Sequence, residues 1–242
     1  MADLAISAFF FAMRSCEYST IPERGKTKLL TVGNIRFYSK DRIEISHHDH
    51  LLESRAEYVT ITFEDQKNNK KMETRTQQRT EDPILCPVTA WARTVSRILT
   101  SPGTSLSTTV NFFFDSTATA GSQARLITQA NTRNLLQSTA TIPGKDKVSY
   151  SANEIGTHSL RSGAAMALFL ANESVHKIMI LGQWSSDDFL VYICPQVMEW
   201  TSGMSQSMTQ TENFFHAPDT HSTQAHSNDH AHKDDPRIPG DP

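Results

Sequence analysis

At 242 residues, 38% hydrophobic and 20% charged, the chain is long enough to bury a real core and suits a globular domain with a polar appendage. Of its 26 acids and 23 bases, six acids and two bases fall in residues 206–242, which leaves 20 acids and 21 bases before them. The net charge of −3 therefore divides into a body near +1 and a tail near −4. That balance speaks against nucleic-acid binding by bulk positive charge, though not against a local cationic groove. Three widely spaced cysteines (Cys16, Cys86, Cys194) indicate free thiols in a reducing compartment, not a disulfide frame or a metal site.

The apolar opening, ADLAISAFFFAM, is about a dozen residues long, too short to span a bilayer. Leu4, Ala5, Ala8, Phe9, Ala12 and Met13 repeat at three-four spacing and predict one helix over residues 2–18. Arg14 lies near its end with Glu17 three positions on, a spacing that lets the two meet across a turn. Alone, that pair reads as an ordinary surface ion pair. Starting a chain inside such a helix leads us to expect that a preceding segment has been lost.

Residues 28–46 hold two strand candidates, LLTVGNIRFY and RIEIS, broken at Gly33-Asn34 and Ser39-Lys40-Asp41. His47, His48, Asp49 and His50 form a polar loop that reads as a solvated turn, without a second ligand cluster to make a metal site. Residues 58–63 (YVTITF) alternate as a strand, residues 65–71 (DQKNNKK) make a hairpin tip, and residues 72–80 return. A helix follows over 88–99 with Val88, Trp91, Ala92, Val95, Ile98 and Leu99 as its inward stripe. Residues 100–121 read as a loop around the apolar run 110–114, and residues 122–139 as a helix.

The densest stretch is 155–192. It contains a His-x-x-Arg pair, His158 and Arg161, at the start of a helix rich in small residues. A short helix over 173–181 is expected to end at Gly182. Ser185-Ser186-Asp187-Asp188 then suits the start of a last helix carrying Tyr192. Past residue 204 the composition is Ser, Thr, Gln, His, Asp and Pro, that of a disordered tail.

His158 and Arg161 singly are weak signals, and a tyrosine on a helix is usually core or surface. In order, however, Arg14-x-x-Glu17, a lysine at a hairpin tip, His158-x-x-Arg161, Leu-Gly-Gln183 and Tyr192 nine residues later resemble the tyrosine recombinase (phage integrase) family. The resemblance covers roughly residues 1–200. The wording HSLRSGAA and LGQWSSDDFLVYI is most similar to recombinases of Crypton and DIRS mobile elements.

The resemblance implies an α+β, mainly helical catalytic domain with a small antiparallel sheet over residues 1–204, the N-terminal DNA-clamping domain being absent, and a tail over 205–242. It implies DNA strand cleavage and rejoining without metal or cofactor. Tyr192 would be the nucleophile, and Arg14 and Arg161 would grip the phosphate through guanidinium forks. His158 would be the base, and Lys67 the acid, with Lys70 as its alternative. Lys70, Lys71 and Trp184 would touch DNA. Gln183 stands where the family usually has His or Trp; its amide can donate a hydrogen bond to phosphate but cannot shuttle a proton. The partners implied are double-stranded DNA and further copies of the chain on it, with no membrane. The location is the nucleus for a eukaryotic mobile element, otherwise intracellular. The alternative is a catalytically inactive DNA-binding or interaction remnant of the same fold.

Overall fold

The apolar opening folds as a helix only as far as Phe10. In the computed structural model, which describes residues 1–21, 28–65, 71–115, 123–143, 151–184 and 190, helix α1 spans Ala2–Phe10 and a second helix, α2, spans Ser15–Tyr18. Between them the chain closes a Schellman turn. The Met13 N–H donates to the Ala8 carbonyl (2.9 Å), the Ala12 N–H to the Phe9 carbonyl (3.0 Å), and Ala12 takes the left-handed backbone (φ 45°). The single helix expected over 2–18 is thus two. Phe11, Ala12 and Met13 are all buried, so the apolar spacing reported burial correctly, but a buried turn produced it.

The main sheet is antiparallel, in the order β2-β1-β3-β4, with β1 at Ile35–Tyr38, β2 at Glu44–Ile45, β3 at Tyr58–Asp65 and β4 at Lys71–Gln78. Ile35 pairs with Ile61 and Phe37 with Val59. This register puts Ile35, Phe37, Val59, Ile61 and Phe63 on one buried face. The expected strand through residues 29–38 is shorter than predicted. The Asn34 amide oxygen accepts the Thr31 N–H (2.8 Å) and winds Val32–Asn34 into a 3-10 turn, so β1 begins only at Ile35. In the His47–His50 turn, the His47 ring meets the Ile35 carbonyl. The Asp49 carboxylate accepts from the Leu51 N–H (2.8 Å) and from Arg55 (2.6 Å), in the short helix α3, Leu52–Arg55.

Strand β4 has almost no apolar side chains. It forms because β3 supplies its backbone partners, and because Arg75 and Gln77 reach across to carbonyls of neighbouring helix ends. Helix α4, Pro87–Leu99, is the centre of the core: Val88, Trp91, Ala92, Val95 and Ile98 are buried, and α1 packs against it. Its start has Pro at the first helical position, where a missing N–H costs nothing.

Residues 112–126 depart most from expectation. The apolar run forms a strand, β5 (Phe112–Asp115), paired with β6 (Gln123–Leu126), which the helix predicted from 122 did not foresee. Helix α5 starts only at Gln129, after the Thr128–Asn131 capping box, and runs to Ala140. The deciding partner is Asn111, buried before β5. Its Nδ2 donates to the Thr20 hydroxyl (2.9 Å) and to the Ile127 carbonyl (3.0 Å), tying both ends of the hairpin to the segment after α2.

Helices α6, Ser159–Leu170, and α7, Val175–Gly182, pack on each other, and α6 packs on α1. A Cβ on Gly163 would lie 3.6 Å from the Phe9 ring, so the α1–α6 approach is close without being tight. Asn172 takes the left-handed position that ends α6. The described residues thus form an α+β structure with seven α-helices and two antiparallel sheets, inside a unit spanning Met1–Gln196. Among them no helix is long and apolar enough to cross a membrane.

Candidate anion site at two helix ends

The site lies where α1 and α7 end. Helix α7 also closes on a Schellman turn: the Trp184 N–H donates to the Met179 carbonyl (3.0 Å), the Gln183 N–H to the Ile180 carbonyl (3.3 Å), and Gln183 is left-handed at φ 57°. Helix α7 thus runs over Val175–Gly182, against the 173–181 expected, with Gly182 its last helical residue. Its glycine is required for space. A Cβ there would fall 1.7 Å from the nearest atom of the Trp184 ring, which lies flat against the Gly182 backbone.

Each such turn leaves carbonyls pointing out of the helix end, and such groups need donors. Arg161, in the first turn of α6 and 3% exposed, supplies them from between the two turns. Its Nη1 donates to the Ala12 carbonyl (2.5 Å) and its Nη2 to the Gly182 carbonyl. The Trp184 ring covers its outer face, with the guanidinium carbon 4.2 Å from the ring centroid. Because α7 stops at Gly182, Trp184 folds back over Arg161.

Arg14, the residue that caps α2, completes the pair. Its Nη1 donates to the Gln183 side-chain oxygen (2.9 Å), and its Nη2 to the Gln183 carbonyl (3.2 Å). Glu17 holds Arg14 from below: one carboxylate oxygen accepts the Arg14 N–H (2.8 Å) and the other accepts from Nη1 (3.3 Å). Taken by itself Arg14–Glu17 looked like a surface ion pair. Glu17 is 1% exposed, which makes it the buried counter-charge of the site. Burial holds its pKa above the usual carboxylate range, against the pull of Arg14 and Arg161.

His158 precedes α6 and stands at the open side. It is exposed as a residue, yet its ring is partly shielded from water by the chain around it. That desolvation comes first in lowering its pKa, followed by the charges of Arg161 and Arg14. The imidazole is therefore neutral at neutral pH, the form that accepts a proton. Its position is set through Thr157, whose carbonyl accepts from the Tyr18 hydroxyl (3.3 Å) and whose hydroxyl accepts from Gln129 (3.1 Å). Burial also pushes the Tyr18 hydroxyl pKa upward, so it remains a donor.

Of the predicted residues, Arg14, His158, Arg161, Gln183 and Trp184 come together. Lys67, Lys70 and Tyr192 lie outside the described residues, as do the 185–188 capping run and the tail. Of Lys71 only the backbone is described, opposite Asp65 at the start of β4. Three contributors had no signal in the chain: the Ala12 carbonyl, the Gly182 carbonyl, and Arg75, whose Nε caps the Ile180 carbonyl (2.7 Å) from β4. The site is two guanidinium forks over one carboxylate, donors of the kind that bind oxyanions, here held by protein oxygens. No protein-family model matches the chain, and no curated protein matches it.

Proposed function

We propose that the chain is the catalytic domain of a tyrosine recombinase of the phage-integrase kind, from a mobile element of a eukaryotic nucleus, acting on double-stranded DNA. One observation carries this reading. Arg14 bonds Gln183, 169 positions away, Arg161 bonds the adjoining Gly182 carbonyl, and His158 feels the charge of both arginines. This is the part of the family's set that the described residues contain.

In the proposed reaction Arg14 and Arg161 hold the non-bridging oxygens of one phosphate and stabilise the charge that builds there. The Tyr192 hydroxyl passes its proton to neutral His158, and its oxygen attacks phosphorus. The bond from phosphorus to the 5′ oxygen breaks, and Lys67 or Lys70 protonates that oxygen as it leaves. The product is a 3′-phosphotyrosyl ester, which the same steps in reverse convert back to a DNA strand. A free phenol has a pKa of about 10, so this chemistry needs the arginine charges to lower it.

A second reading, an inactive DNA-binding remnant of the same fold, is favoured by a specific observation. Both guanidinium groups are engaged by protein oxygens, and the position usually held by His or Trp is Gln183. Incubation with a nicked suicide duplex separates the two. The active enzyme gives a covalent protein–DNA adduct that Tyr192→Phe abolishes while duplex binding remains. If no adduct forms, even with a clamp domain supplied in trans, the recombinase chemistry is refuted; duplex binding without an adduct is the remnant.

A further inference from the structure

Three oxygens of one turn face the arginine pair: the Gly182 carbonyl, the Gln183 carbonyl and the Gln183 amide oxygen. They occupy guanidinium N–H groups that a bound phosphate would need: the Gln183 oxygens hold Arg14 and the Gly182 carbonyl holds Arg161. Access from outside is closed as well, since Arg161 and Gln183 are each 3% exposed and the Trp184 ring lies across Arg161. A phosphate cannot reach Arg161 while this turn is in place. We infer that the Gly182–Trp184 turn is an autoinhibitory plug, an internal stand-in for phosphate that DNA must displace; the inference rests on the proposed phosphate site.

The energetics make the exchange feasible. The plug's oxygens are neutral, whereas phosphate oxygens are anionic and can take guanidinium forks in bidentate ion pairs. Gln183 gains back its strain when the turn opens, because the left-handed backbone disfavours a residue with a Cβ. Against opening stand the Trp184 stacking and the two Schellman hydrogen bonds, both confined to the last turn of α7. Displacement therefore costs the end of one helix and leaves the rest of the core untouched.

Gly182 makes the plug testable with one methyl group. Its backbone is helical, so alanine fits the main chain, but its Cβ would occupy the place of the Trp184 ring. Gly182→Ala expels Trp184 from Arg161 without altering any of the three oxygens. Gln183→Gly is the second variant: glycine suits the left-handed position and keeps the helix end, and losing a hydrogen bond to the charged Arg14 outweighs the strain that glycine relieves. Binding of a short duplex to the full chain is measured by fluorescence anisotropy at fixed salt, with melting curves as a check on folding. Gly182→Ala is expected to bind about tenfold tighter than the parent, and Gln183→Gly a few-fold tighter, both gains vanishing when Arg14→Gln is added. Affinity unchanged or weakened in both variants, while Arg14→Gln still lowers parental binding, overturns the plug alone. A gain that survives Arg14→Gln, or binding that ignores Arg14 throughout, overturns the phosphate site together with the plug.

Discussion

Glu17 offers the sharpest test of how the site is held. Replacing it with alanine removes a carboxylate that is 1% exposed and does two jobs. The Arg14 N–H, now bonded at 2.8 Å, loses its acceptor, which costs about 1–3 kcal/mol for a buried donor. Arg14 and Arg161 also lose their buried counter-charge, and breaking such a pair from one side costs about 3–5 kcal/mol in total. Since the two effects share the same atoms, the overall loss is about 3–5 kcal/mol, a fall in Tm of about 6–20 °C for a domain of this size. Glu17→Gln keeps an oxygen for the Arg14 N–H and loses only the charge, so its fall must be smaller. Urea and thermal unfolding of both variants measure the difference. The carboxylate also leaves a pH signature. With its folded pKa above 4.5, the native state holds more protons than the unfolded chain above that value. Stability contributed by Glu17 is then full below pH 4.5 and lost as pH rises through the folded pKa, a slope that Glu17→Gln removes. An alanine variant as stable as the glutamine one would refute the acceptor role, and a glutamine variant with the parent's stability and pH slope would refute the buried counter-charge.

Three further outcomes follow from the packing. The His158 ring should titrate below 6.5 by NMR, assigned with His158→Gln, and Arg14→Gln should move its midpoint upward; a midpoint at or above 6.5 contradicts the cationic surroundings. Because the native state resists that proton, stability also falls as pH drops below the unfolded value, through the window down to the folded one. Gly163→Ala, whose new methyl would meet only the Phe9 ring at 3.6 Å, should raise stability by about 0.5–1 kcal/mol in denaturant unfolding, because alanine is the better helix former. Trp91 is fully buried, and its indole N–H has no hydrogen-bond partner among the described residues. Trp91→Phe should therefore cost less than about 1.5 kcal/mol, whereas Trp91→Ala opens a cavity worth about 3–5 kcal/mol.

The elements that could be read from the sequence were those whose partners lie on their own repeat. The alternation of residues 58–63 and the stripe from Val88 to Ile98 each report one buried face, and β3 and α4 follow them closely. Elements decided by a distant hydrogen bond were misread. Nothing within residues 122–126 announces a strand; the Asn111 amide, holding Thr20 and Ile127, selects it. Likewise Ala12, among the best helix formers, ends α1, because the Ala12 carbonyl meets Arg161 from a helix 149 positions away. The candidate site was legible as a set of residue types in order, and Arg14, Arg161, His158 and Gln183 do converge. What spacing could not convey is that Glu17 is buried, that Trp184 turns back, or that backbone carbonyls face both arginines.

That last point links fold to chemistry. Ala12 and Gln183, both left-handed without being glycine, stand on opposite sides of Arg161 and end two helices whose negative poles point at it. A cation placed between two helix C-termini stabilises both, so the arginine pair is structural before it is anything else. The same arrangement fixes both guanidinium groups through protein oxygens, and donors held in place are what an anion site would need in advance of its ligand. If the arginines served structure alone, lysine at Arg161 could still cap one carbonyl at modest cost, and glycine at Ala12 or Gln183 would simply relax the turns. If they serve a phosphate, the strain in those two turns is useful, because it lowers the cost of releasing the oxygens. Gln183→Gly separates these accounts: relief of strain alone predicts a more stable protein with unchanged DNA affinity, whereas the plug predicts that affinity rises through Arg14.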